Sequence, residues 1–344
     1  MSALDPSPTS TIAPSESSFK LRASSFFSNR LLWSLLAVSL LPLGFMGYAT
    51  YFSAAKAIED QSQLKLQTVN SITGKAVRNY FSTLEEQLKI TAENRMTLEA
   101  LEAFTAGFEQ LKSDDNLNEA TIQDARNRLS TFYTGEFSNK FIQQTDSEPA
   151  TKSFIENLSD RSAYLQYLYI RQNENPLGSK DILNDADDGS SYSKAHALYH
   201  PVFRNFLQRL GIYDFFLVDA DSGNIVYSVY KEIDFATSLK TGSFSGTNFA
   251  QTFQDSITGG RRDTVAFADF DNYLPSYQLP AGFIAAPIYS GRELKGAVIY
   301  QLPIDKITEI IGESTGMGET GETYAVAADG LFRSESRFLE TLGV

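Results

Sequence analysis

Tyr213-Asp-Phe-Phe-Leu-Val-Asp219, Ala220-Asp-Ser-Gly-Asn224, Ile225-Val-Tyr-Ser-Val-Tyr230 is the stretch on which the fold turns. Two runs of aromatic and β-branched residues flank a short polar segment with a glycine. Such runs suit a pleated, half-buried surface, and the segment between them supplies turn chemistry, so the spacing predicts a β-hairpin. Downstream, a helical insert at 248–257 precedes three further strand candidates, at 264–270, 282–289 and 294–302. Gly291 lies in the turn between the last two, and Pro303 opens a helix to about Ile311. The order predicts an α+β fold with one antiparallel sheet of about five strands, able to cover a concave site with its insert and loops.

Upstream the pattern is helical. Tyr164-Leu-Gln-Tyr-Leu-Tyr-Ile170 is aromatic and apolar, Asn175-Pro176-Leu-Gly178 is turn chemistry, and 185–191 is a loop. Residues 192–210 read as a helix broken or restarted at Pro201, with shorter helices at 119–132 and 151–158. Further back, Val69, Ile72, Ala76, Tyr80, Leu84 and Leu88 form one apolar stripe. Leu101, Phe104, Phe108 and Leu111 extend it until Ser113-Asp-Asp-Asn116.

The stripe is preceded by residues 31–53, LLWSLLAVSLLPLGFMGYATYFS, which carry no charge. Roughly 20 apolar helical residues cross a bilayer core, and Pro and Gly are tolerated there. This segment is the expected contact with lipid. A cleaved leader is the alternative, with Ala55-Lys56-Ala57 as its small-x-small site, but its apolar core is usually only about 7–15 residues. Lys20, Arg22 and Arg30 precede the span, whereas Lys56 and Lys65 after it are offset by Glu59 and Asp60. The bias places the N-terminus inside and residues 54–344 outside the membrane. Residues 1–30, rich in Ser, Thr and Pro, read as a disordered cytoplasmic tail.

Composition narrows the function. The 344 residues carry 29 basic and 42 acidic side chains, a net charge of −13. Nucleic-acid binding relies on clustered Lys and Arg, so it is not expected. No cysteine is present, which removes disulfides, thiolate metal sites and cysteine nucleophiles. The 25 Phe and 17 Tyr against one Trp concentrate after Phe132, where a packed domain with a tyrosine-lined surface or pocket is expected, although Phe and Tyr are also simply good strand and core residues. A second, partial hairpin follows: Gly321-Glu-Thr-Tyr-Ala-Val-Ala327, the turn Ala328-Asp-Gly330 and Leu331-Phe-Arg333. It echoes the first and stops at Val344 before a sheet is complete.

With these segments, the chain resembles the extracytoplasmic double Cache sensor domain of bacterial transmembrane receptors. The segments carrying the likeness are Tyr164-Leu-Gln-Tyr167, Asn175-Pro176-Leu-Gly178, Tyr213 to Asp219, Asp234-Phe-Ala-Thr-Ser-Leu239 and Phe283-Ile-Ala-Ala-Pro287. They are joined by Gly318-Glu-Thr-Gly-Glu-Thr-Tyr324, Asp329-Gly330 and Arg333-Ser-Glu-Ser-Arg-Phe338. The resemblance implies spine and accessory helices over 54–163, a membrane-distal PAS-like module over 164–312 that holds the ligand, and the start of a membrane-proximal module over 313–344. It also implies a homodimer. Tyr199-His-Pro-Val-Phe-Arg204 departs from the Tyr, Arg, Trp-Tyr signature of the amino-acid-binding members.

Several motifs fail on context. Gly316-Met-Gly-Glu-Thr-Gly321 matches a dinucleotide fingerprint but follows a helix and precedes a strand, the reverse of what phosphate binding needs. Gly312-Glu-Ser-Thr-Gly316 matches a nucleophile elbow, but both histidines lie earlier in the chain. His196 and His200 stand four apart without a glutamate at 197 or a third ligand, so a packed helix end is expected rather than a metal. The stretch from Asp219 has Asn224 and Tyr230 where a calcium loop needs glycine at its sixth position and glutamate at its twelfth. No cofactor is implied and no catalytic constellation is visible.

The candidate ligand-contacting residues are Tyr192, Tyr199, Arg204, Tyr213, Tyr227, Asp234, Asp269, Tyr273 and Tyr277, polar tips around the expected sheet. The expected function is small-molecule sensing outside the membrane, passed inward by helix movement. The competing expectations are the sensory part of a nucleotide cyclase or histidine kinase, and an interaction protein without a ligand.

Overall fold

A computed structural model describes residues 21–111, 117–313 and 317–338, with side chains from residue 29. The expected tail before residue 21, the helix break at 113–116, Ser314 with Gly316, and the chain after 338 lie outside these residues. Residues 21–30, expected to be disordered, are helical.

The helix α1 (Leu21–Glu93) contains Pro42. Two compact units divide within it, one ending at Asn70 and one starting at Ser71. In the first, every residue from 29 to 68 is exposed, and the stretch is long and apolar enough to cross a membrane.

The second unit starts with the last turns of α1. Leu84 and Leu88 are buried there as the stripe predicts, but Ile72 is 63% exposed and Ala76 is exposed. The packed face instead runs Val77, Phe81, Leu84, Leu88, Ala92. Asn94 interrupts the helix and starts the next one, because its side chain accepts from the Met96 N–H at 2.8 Å as an N-cap. Helix α2 (Arg95–Gln110) buries Leu101, Phe104 and Phe108. Helix α3 (Glu119–Phe132) runs into a π-helical turn (Tyr133–Phe137), followed by α4 (Ser138–Thr145), α5 (Thr151–Glu156) and α6 (Asp160–Gln166). A second π-turn, Tyr167–Arg171, ends this helical group.

Helix α7 (Ser191–Leu210) is continuous through Pro201, so the expected break does not occur. Its packing holds it: Tyr192, His196, His200, Phe203 and Leu207 are buried along one side. It meets α2 at Gly107, where an added Cβ would stand 2.8 Å from the Tyr192 Cα.

Strands β1 (Asp214–Asp219) and β2 (Ile225–Ser228) form the predicted hairpin. After α8 (Asn248–Thr258) come β3 (Ala266–Tyr273), β4 (Leu279–Ser290), β5 (Glu293–Leu302) and α9 (Ile304–Ile311). The sheet is antiparallel in the order β2-β1-β5-β4-β3. One face packs Phe215, Leu217, Val298 and Tyr300 into the core built by α2, α7 and the last turns of α1. The other packs Phe216, Phe283, Ala285 and Ile299 against Phe249 and Phe253 of α8. In the partial second hairpin, Val326 and Phe332 form an antiparallel bridge.

Candidate ligand-binding cleft

The polar groups buried in the sheet collect at one end, where β1 begins, β5 ends and β3 connects to β4. Asp214 and Gln301 pair across β1 and β5. The Asp214 carboxylate accepts from the N–H groups of Phe215 at 2.7 Å and Val229 at 3.0 Å, and from the Ser228 hydroxyl at 2.8 Å. These bonds turn the chain sharply as it leaves β2. Lys231 consequently takes a left-handed conformation, with φ +57°, and so does Ala236, with φ +64°. Non-glycine residues held this way are over-determined by their surroundings and cluster at functional sites.

The loop is then tied across the end of the sheet. The Tyr213 and Ser276 hydroxyls each donate to the Glu232 carboxylate at 2.8 Å. The Tyr273 hydroxyl donates to Asp234 at 2.6 Å, while the other Asp234 oxygen is buried without a partner among the described residues. The Lys231 ammonium donates to the carbonyls of Ser228 at 2.5 Å and Val229 at 3.1 Å. It lies 4.9 Å from the Tyr227 ring centroid. Burial lowers the Lys231 pKa and raises that of Asp214. Burial, with Asp234 adding a like charge, pushes Glu232 up to about 8, and burial pushes Asp234 up to about 6.

This loop forms one wall of a cleft of about 250 Å3. Phe137 and Lys140 face it from the first π-turn and α4, and Ile170 from the second π-turn. Lys180 comes from the short 3-10 turn Lys180–Ile182, and Tyr277 from the β3–β4 connection with φ +56°. The Lys140 ammonium sits 4.6 Å from the Tyr277 ring centroid. Lys180 is 5% exposed and donates to the Asn173 carbonyl at 2.7 Å.

Of the candidate residues in the sequence, Tyr213 and Tyr277 line this cleft. Asp234 and Tyr273 are fully buried and bonded to each other. Tyr192 and Tyr227 are buried under α2 and α7. The Tyr192 hydroxyl donates to the Val226 carbonyl at 2.7 Å, and the Tyr227 hydroxyl lies 2.7 Å from His200 Nδ1. Tyr199 packs half-buried near Phe104, and Arg204 donates to the carbonyls of Asp181 and Ile182. Asp269 is exposed and pairs with Arg333 at 3.0 Å.

Sequence reasoning does not single out Lys140, Lys180, Lys231 or Glu232. A signal for two of them is present: Lys231-Glu-Ile-Asp234 places three charges directly after an apolar strand. His196 and His200 are stacked 4.3 Å apart and fully buried within α7, not at a helix end. Burial lowers the His200 pKa to about 2, so the ring is neutral; its Nε2 donates to the Asp181 carbonyl at 2.6 Å, which leaves Nδ1 to accept from the Tyr227 hydroxyl. Among the described residues no three His, Cys, Asp or Glu side chains gather as metal ligands. Asp219 accepts from the Ser222 N–H and hydroxyl, a turn that uses the carboxylate without an ion.

No family model and no curated protein matches the sequence. Three solved sensor domains are similar to the chain. The ligand-binding domain of Campylobacter jejuni chemoreceptor Tlp3, in complex with 4-methylisoleucine, is 10% identical over 67% of this chain and 75% of that one, with a TM-score of 0.30. The ligand-binding domain of the Pseudomonas aeruginosa amino acid chemoreceptor PctC, in complex with GABA, is 14% identical over 60% and 76%, with a TM-score of 0.28. The sensor domain of the Vibrio cholerae histidine kinase DctB is 19% identical over 56% and 59%, with a TM-score of 0.24.

Proposed function

We propose that residues 54–344 form the extracytoplasmic small-molecule sensing region of a bacterial transmembrane signalling receptor, anchored by 31–53 with the N-terminus in the cytoplasm. The observation that carries this reading is the joining of two features in one chain. One is an uncharged helical segment exposed along its whole length, which needs a bilayer. The other is a cleft walled by left-handed loops and buried ionisable groups, as ligand sites commonly are. The ligand-holding module, expected over 164–312, must also take in the first π-turn and α4, since Phe137 and Lys140 wall the cleft, and 313–344 begins the next.

The mechanism follows from how the cleft is built. A ligand contacting Glu232 or Tyr277 acts on both the loop leaving β2 and the β3–β4 connection, which Glu232 and Ser276 tie together. It shifts the module only so far as it binds two arrangements of these loops unequally. The chain has no native cysteine, so location can be tested with Thr241→Cys. In intact spheroplasts a membrane-impermeant maleimide should label this variant. Labelling only after lysis would place the module inside and end the sensing reading as stated.

A further inference from the structure

We propose that the cleft takes a small carboxylate, held between Lys140 and Lys180. This rests on the cleft being the ligand site, as proposed above.

Charge carries the argument. The chain is strongly acidic, yet three lysines line this one cleft against a single carboxylate, Glu232. Lys231 turns its ammonium away to backbone carbonyls and rings, so it contributes field rather than contact. Lys180 differs. It is nearly fully buried, and among the described residues its ammonium has one hydrogen-bond acceptor, Asn173. An ammonium has three N–H donors, which leaves two beyond that bond among the described residues. The side chain lines both this cleft and the neighbouring one, which Glu136 and Glu174 also line. Burial lowers its pKa, Glu136 opposes that through space, and a guest anion beside it would restore the charge further. Among the described residues the Lys140 ammonium donates to one carbonyl, Leu177 at 3.4 Å.

The opposite reading is an amine in an aromatic cage, with Glu232 as counter-charge. Two contacts argue against it. Both Glu232 oxygens already accept from Tyr213 and Ser276, and burial favours its neutral form. The Tyr277 ring is already occupied by the Lys140 ammonium at 4.6 Å, where a ligand cation would sit. The volume, about 250 Å3, lies just below the usual span of ligand pockets and restricts the guest to a small metabolite.

The test uses the full chain in detergent micelles at matched ionic strength, with two isosteric series. One is propionate, propionamide and propylamine; the other is glutarate, glutaramide and pentane-1,5-diamine. At about 10 mM, at least one carboxylate should raise the melting temperature by about 2 °C or more, and its amide and amine should not. Lys140→Ala, at a half-buried position, should cut carboxylate affinity about tenfold, as loss of one charge-assisted bond does. A carboxylate shift that survives both Lys140→Ala and Lys180→Met overturns the proposal. A shift by an amine or amide, lost in Tyr277→Ala, overturns the anion but keeps the cleft as a ligand site. No shift by any of the six compounds overturns the carboxylate, and the topology labelling then decides the receptor reading separately.

Discussion

The two faces of the sheet are covered in different ways. Under α8 the sheet face packs apolar side chains and Tyr273, with Phe249 stacked on Phe283 at 4.6 Å and 9°, and the buried Thr252 and Ser256 hydroxyls are satisfied by carbonyls of their own helix. Under α2 and α7 the core encloses His196, His200, Gln166 and Lys231 among its aromatic rings. Burying such groups costs stability unless each finds partners, and His196 Nε2 has none among the described residues. Stability alone would favour the first arrangement on both faces. The polar side is where the chain has accepted constraint, and it adjoins the cleft.

This contrast can be broken first at its apolar side. Phe249→Ala removes a ring fully buried between Phe216 and Phe283. It should cost about 3–5 kcal/mol in chemical denaturation, the range for truncating a buried aromatic. The loss should be nearly independent of pH above about 7, since the rings around Phe249 are Phe216, Phe283 and Tyr273, and the carboxyl bonded to Tyr273, Asp234, titrates near 6. A strongly pH-dependent loss in that range would erase the distinction between the faces.

The next effect tests the helix crossing on the other face. In Gly107→Ala the new methyl meets the Tyr192 backbone, which cannot swing aside as a side chain does. Overpacking of about 1–3 kcal/mol should outweigh the roughly 1 kcal/mol gained in helix propensity. A stabilised variant would mean that α2 and α7 slide freely.

Lys231→Met keeps a flexible apolar stem but removes the ammonium. The Ser228 and Val229 carbonyls lose their donor, at about 1–3 kcal/mol for groups left buried and unpaired. The pH dependence also changes. The folded-state pKa of Lys231 is depressed, so the unfolded chain binds more protons and wild-type stability rises with pH towards the ordinary value of 10.5. The variant should lack that rise. Equal slopes in both proteins would show that the ammonium keeps its charge at no cost.

Much of the architecture is legible in the amino-acid sequence. Strand content follows from aromatic and β-branched runs closed by turn residues, and the apolar span from the absence of charge. The breaks are harder. Asn94 caps a helix inside a continuous polar-apolar pattern, and Pro201 fails to break one because tertiary packing overrides local propensity. The site is least legible. Residue type points to Tyr213 and Tyr277, but equally to Tyr192 and Tyr227, since a tyrosine in a core and a tyrosine in a cleft look alike in sequence. Lys140 and Lys180 sit on surface-like polar stretches and reach the cleft only through the placement of α4 and the 180–182 turn.

The smallest expected effect is the sharpest probe of the polar side. Glu232 has its pKa raised from 4.5 to about 8. A raised folded-state value means that the native protein holds the proton more tightly than the unfolded chain. The stabilisation is complete below about pH 4.5 and is lost as pH climbs through 8. Asp234, raised to about 6, has the same sign but is spent above that pH. Between pH 6 and 8 the wild-type loss comes from Glu232 together with Asp214, which burial raises to about 7 and which is present in both proteins. Glu232→Gln keeps the shape and does not titrate. Its melting temperature should gain on wild type by a few degrees across that interval. Lys231 slopes the other way but is present in both proteins, so the difference between the two curves isolates the carboxyl. Parallel curves would mean that Glu232 is charged throughout, and the cleft would then carry an anion of its own where the structure leaves room for a guest's.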